Sequence, residues 1–141
     1  MALNNDIAIA PKLREEMALR DKALAGDIVF VVTPETVDRV ATSDVWTRTV
    51  VVELQTSAGE VHTWLDKAIT SGVSIEDDST AGTASITSTT LNLEKGRAEI
   101  VVSGDEEDWV ADETNTLTVA EATILGYTVA SKTSVETIVA E

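Results

Sequence analysis

The stretch WTRTVVVELQT, from Trp46 to Thr56, constrains this chain more than any other. Trp46, Val50, Val52 and Leu54 fall at even positions, and Thr47, Thr49, Val51, Glu53 and Gln55 at odd ones. Successive side chains of a strand point to opposite faces, so this pattern lays one apolar face on a core. A 3.6-residue helical period would scatter the same side chains around an axis. The rest of the chain agrees. It holds 20 threonines and 18 valines, β-branched residues at ease on a pleated surface, and only two prolines.

Composition narrows the function classes. A chain of 141 residues, 43% hydrophobic, suits one globular domain. The absence of cysteine excludes disulfides and thiolate metal sites. A single histidine, His62, excludes multi-histidine metal centres and leaves little for general-base chemistry. There is no apolar run long enough to cross a bilayer, and no h-region that would mark a cleaved signal peptide. A net charge of −15 opposes binding to a nucleic-acid backbone. The seven glycines are isolated from one another and form neither a dinucleotide fingerprint nor a phosphate loop, so no cofactor is expected.

The charge is segregated. Residues 1–25 carry four acids (Asp6, Glu15, Glu16, Asp21) and four bases (Lys12, Arg14, Arg20, Lys22), so the whole −15 sits on residues 26–141. That shift divides the chain into an arm with a short helix, 1–26, and a β domain, 27–141. Within the first unit Ile7 and Ile9 alternate, Pro11 suits a helix start, and Lys12–Ala25 holds good helix formers. Leu13, Met17 and Leu24 lie on one side of that helix. A helix this short is marginal alone in water, so its stripe needs a partner, either its own β domain or a neighbouring subunit.

In the second unit, strands are expected at 27–33 (ended by Pro34), 46–56, 61–65, 68–76, 83–93, 98–103, 115–120, 122–130 and 133–140, with 37–40 a short crossing piece. The 46–56 and 61–65 segments, joined at Ser57–Glu60, read as a hairpin. Seven to nine short strands with regular turns are the pattern of an antiparallel β-sandwich. Its expected core is Trp46, Val50, Val52, Leu54, Trp64, Ile100, Val102, Leu117 and Val119. Trp109, in the most acidic loop, is a weaker core candidate.

Three segments carry a resemblance: TAGTAS at 80–85, LEKGRAEIVV at 93–102 and WVADETNTLTV at 109–119. In that order they resemble bacterial and phage immunoglobulin-like modules, over roughly 80 residues. They are similar to a loop into a central strand, a glycine-turned hairpin, and a loop tryptophan ahead of a last core strand. The neutral arm, the lone-domain length and the ILGYTVASKT tail resemble a small virion protein of a tailed phage more than an excised adhesin repeat. The resemblance implies an Ig-like sandwich and carries no catalytic residues across.

Two constellations compete with purely structural readings. Asp105, Glu106, Glu107, Asp108, Asp112 and Glu113 would suit a hard cation such as Ca²⁺, but they lack the EF-hand order and read as a solvated loop, with no metal expected. Glu76, Asp77 and Asp78 form a second cluster that would face the first if both loops share one end of the sandwich. His62 has no nucleophile or orienting partner in sequence, and no nucleophile elbow exists. Neither a catalytic nor a cofactor-binding residue is expected. The expectation is a non-enzymatic capsid decoration protein in the virion, likewise free of membrane and nucleic-acid partners. It would bind the major capsid protein or sister copies through Ile7, Ile9, Leu13, Met17 and Leu24, forming a homo-oligomer on a symmetric particle. A tail-tube, tail-tip or connector module, or a cell-surface carbohydrate- or protein-binding module, are the alternatives.

Overall fold

The computed structural model describes residues 28–141. The expected arm and helix, with Ile7, Ile9, Leu13, Met17 and Leu24, lie outside the described residues. Among those residues every regular element is a strand: β1 (Val29–Thr33), β2 (Thr36–Val40), β3 (Trp46–Gln55), β4 (Lys67–Ile69), β5 (Val73–Asp77), β6 (Ala84–Ile86), β7 (Leu91–Leu93), β8 (Arg97–Gly104), β9 (Thr114–Val119), β10 (Ala122–Ile124), β11 (Tyr127–Val129) and β12 (Lys132–Val139). Two four-stranded sheets carry the fold, ordered β1-β3-β8-β6 and β2-β12-β9-β5. Two-stranded pairs β10-β11 and β4-β7 complete it. The chain is all-β, and its inward faces share one core.

The pairings are antiparallel except that β2 runs parallel to β12, from Thr36 opposite Val135 to Val40 opposite Val139. Pro34, after a cis Thr33–Pro34 peptide, stands between β1 and β2. Proline has no N–H for the ladder, so β1 ends and the extended chain passes to the other sheet. There the Val135 N–H donates to the Glu35 carbonyl at 2.8 Å. The piece expected to cross between sheets is therefore itself a strand.

Other boundaries differ from the expectation because long runs break where the chain changes partner. Residues 68–76 divide at Ser71 (φ 56°) and Gly72, with β4 paired to β7 and β5 to β9. Residues 83–93 divide between β6, beside β8, and β7, beside β4. Residues 122–130 fold back at Leu125 (φ 51°) and Gly126 (φ 83°), forming the β10–β11 hairpin. The expected 61–65 strand does not form. β3 already has β1 on one edge and β8 on the other. What remains is a single bridge, Gln55 to Val61, and a His62 N–H to Leu54 carbonyl bond of 2.9 Å.

The core corrects two expectations and keeps the rest. Trp46, Val50, Val52, Leu54, Val102, Leu117 and Val119 are buried as expected, but Trp64 and Ile100 are only half-buried. Without a 61–65 strand, Trp64 loses the alternation that would have turned it inward, and Leu65 and His62 are buried instead. Trp109 is 1% exposed and heads the fully buried side chains by volume. Its ring lies 5.3 Å from that of Trp46, edge-on at 74°. Each indole rests on a glycine. A Cβ at Gly82 would collide with Trp109, and one at Gly104 with Trp46. Close backbone approach is what glycine permits there.

Candidate functional site

Arg48 sits among the even-numbered residues of β3, the inward ones, and only 9% of it is exposed. A guanidinium in that position must find partners, because an unpaired buried charge is very costly. It finds them on the opposite sheet. Its Nε and Nη2 donate to Asn115 Oδ1 at 3.0 and 2.9 Å, and Nη1 donates to Ser134 Oγ at 2.9 Å. Nη2 also reaches the Ser134 carbonyl at 3.2 Å. Asn115 Nδ2 in turn donates to Glu136 Oε1 at 3.0 Å, and Arg39 Nε donates to the same oxygen at 3.1 Å. Ser134 Oγ donates to the Pro34 carbonyl at 2.6 Å, tying the network to the point where the chain changes sheet. Arg39 also lies 4.5 Å over the Trp46 ring. Burial holds Arg48 below the ordinary arginine range; Glu136 opposes that shift and Arg39 adds to it.

A second cluster joins the loops at one end of the sandwich. Glu113, 8% exposed, accepts from the Val110 N–H at 2.8 Å, Ser79 Oγ at 3.0 Å and the Thr80 N–H at 2.8 Å. Burial pushes its carboxyl pKa up, but the hydrogen bonds from Val110, Thr80 and Ser79 outweigh that and leave it below the ordinary value. Asp77 accepts from the N–H groups of Ser79 and Ala84, Asp78 from that of Thr114, and Asp105 from that of Thr83. The two acidic segments do share one end of the sandwich. Asp77, Asp78, Asp105 and Glu113 serve there as acceptors for backbone N–H groups. Among the described residues, no group of three or more His, Cys, Asp or Glu side chains is placed to hold a metal ion.

His62 is buried, its ring edge-on to Trp64 with centroids 6.5 Å apart. The proposed partner-binding residues Ile7, Ile9, Leu13, Met17 and Leu24 lie outside the described residues, so the structure brings none of them together. Sequence reasoning passed over the network of Arg39, Arg48, Asn115, Ser134 and Glu136. Its signal was Arg48 itself, a charged residue at an inward position of the most apolar strand. What these arrangements do chemically is lock two sheets and two loops together.

No family model and no curated protein matches this chain. Among solved structures it is similar to WR4, a C. elegans MSP family member, at 8% identity and a TM-score of 0.39, over 77% of this chain and 96% of that one. A likeness of that size carries no argument about function.

Proposed function

We propose that this chain is a non-enzymatic structural protein of a tailed-phage particle. It is an Ig-like sandwich that decorates and stabilises the capsid, held by the segment before residue 27 to the major capsid protein and to sister copies. One observation carries the reading: two of the three segments of the phage-module resemblance meet as a single device. TAGTAS supplies Gly82 beneath the Trp109 ring and the Thr80 N–H to Glu113, while WVADETNTLTV supplies Trp109 and Glu113 themselves. Residues that act on each other across 27 positions (Gly82 and Trp109) and 33 positions (Thr80 and Glu113) are a stronger basis for a resemblance than short strings alone.

The charge supports a surface role. A body carrying the whole −15 keeps free copies apart, and the neutral arm is the part least repelled by other copies. Weak contacts repeated over a symmetric shell sum to strong retention. The test is a mass-spectrometric count of this protein in purified particles. Hundreds of copies support decoration. A few, or six per ring, move the protein to the tail, and none overturns the reading.

A further inference from the structure

β1 covers only part of one edge of β3. Its register runs from Val29 opposite Gln55 to Thr33 opposite Val51, and there the chain leaves for the other sheet. β8 pairs with β3 all the way from Glu53 to Trp46. On the β1 side, no described strand lies beside Trp46–Val50.

The far end of β3 shows which backbone groups face that gap. The Leu54 N–H donates to the Gly96 carbonyl at 2.8 Å, and Gly96 immediately precedes β8, so Leu54 faces the β8 side. In an antiparallel ladder, the N–H and C=O of one residue point the same way and those of the next point the other way. The register with β8 has no bulge between Trp46 and Glu53. Even-numbered residues therefore face β8, and Thr47 and Thr49, both exposed, turn their N–H and C=O to the gap. An open edge is a template for another strand, commonly blunted by a lysine or a proline. Neither occurs from Val45 to Val51, and Val45, 57% exposed, extends the edge with an apolar side chain.

One side chain does enter the gap. Arg39, on β2 of the other sheet, donates from Nη2 to the Thr47 carbonyl at 3.2 Å. Its Nε holds Glu136 Oε1 at 3.1 Å, and its guanidinium lies 4.5 Å over the Trp46 ring. A strand adding beside Thr47 would have to push Arg39 aside and strip a donor from Glu136, which is 1% exposed.

We propose that Arg39 locks this edge against a second copy of the chain. The edge is self-complementary about Arg48, since Thr47 of one copy can exchange both backbone bonds with Thr49 of another. The −15 of the body holds copies apart at a distance, and Arg39 keeps the edge closed once they touch.

The test uses the full chain. In the parent, hydrogen exchange at the Thr47 and Thr49 amides should be roughly tenfold or more faster than at Arg48 and Val50, which face β8. Equal protection at Thr49 and Val50 overturns the proposal. Self-association is then read by analytical ultracentrifugation in about 1 M salt, where a Debye length of about 3 Å removes the long-range repulsion. Arg39→Ala removes the lock outright. Arg39→Lys keeps a cation for Glu136 but has one nitrogen where the arginine fork uses two, and it serves where the alanine variant does not fold. Each should tighten self-association roughly tenfold or more over the parent, with Thr49 gaining protection. Adding Thr47→Pro, which removes an edge-facing N–H and leaves the β8 ladder whole, should return association to the parent level. Melting temperatures check that every variant is folded. Folded Arg39 variants that associate no more than the parent overturn the proposal and leave Arg39 a structural role alone. A gain that Thr47→Pro does not reverse, with Thr49 still exchanging fast, places the contact elsewhere and overturns it too.

Discussion

Arg48 and Asn115 face each other from opposite sheets, with two guanidinium nitrogens, Nε and Nη2, donating to one Oδ1 at 3.0 and 2.9 Å. The amide therefore accepts from a buried cation on one side and donates an N–H hydrogen bond to Glu136 on the other. Asn115→Ala should destabilise the fold by about 3 kcal/mol in denaturant unfolding, because it strips acceptors from a charge that cannot reach water. The apolar pair Arg48→Met with Asn115→Leu should recover much of that loss. Equal losses for the single and paired variants would show that packing, rather than the charge, sets the cost.

Trp109→Ala should cost roughly 3–5 kcal/mol, and Trp64→Ala clearly less. The first ring is fully buried and the second only half so. Gly82→Ala should cost about 1–3 kcal/mol, since its new Cβ meets the indole. Thermal melts of the three variants rank them. A larger effect at Trp64 would contradict that difference in burial.

Glu113 makes stability pH-dependent in a stated direction. Its carboxyl pKa is lower folded than in its ordinary state, so its contribution is whole above the ordinary glutamate range. It is lost as pH falls through that range and then through the folded value. Glu113→Gln should therefore melt below the parent at pH 7, with the gap closing on acidification. A gap constant from neutral pH to about pH 3 would remove Glu113 as a source of acid sensitivity.

Calcium and EDTA should leave the melting temperature where it is. Asp77, Asp105 and Glu113 already accept hydrogen bonds from backbone N–H groups, and a cation would have to displace those bonds. A rise of several degrees on adding Ca²⁺ would show a ligand that binds the folded state alone.

Deleting residues 1–25 should leave a soluble domain with a β-type circular dichroism spectrum. Ile28 and Phe30 are buried and β1 pairs with β3 from Val29 onward, all beyond the cut. Assembly onto capsid or sister copies should be abolished or sharply weakened. An unfolded product would place the arm in its own domain's core.

What was legible in the sequence was the strand periodicity, and it was legible where one strand kept one partner. Trp46 to Gln55 reads correctly because β8 and β1 flank it and its even residues face the core throughout. It misleads wherever a run changes sheets, as at Gly72 between β4 and β5, because alternation is blind to which neighbour a strand has. Trp64 escapes the pattern for a different reason: both edges of β3 are taken by β1 and β8, so 61–65 forms no strand. Trp109 was undervalued because its neighbours are acidic. Local charge says nothing of a glycine 27 positions away that leaves room for an indole. The network around Glu136 was hidden because its members come from β2, β3, β9 and β12, and only the fold brings them together.

The parallel pairing of β2 with β12 has a mechanical consequence. The described chain begins at the end of the sandwich where β1 starts and finishes at the end where β12 stops. A pull on those two points draws β2 one way and β12 the other along their shared length. The evenly spaced bonds between Thr36–Val40 and Val135–Val139 then carry the load together, side-on. A hairpin pulled at its open end unzips one bond at a time, whereas a ladder sheared along its axis resists until several bonds fail at once. The domain should accordingly be stiff under tension along its long axis and yield far more readily when peeled sideways.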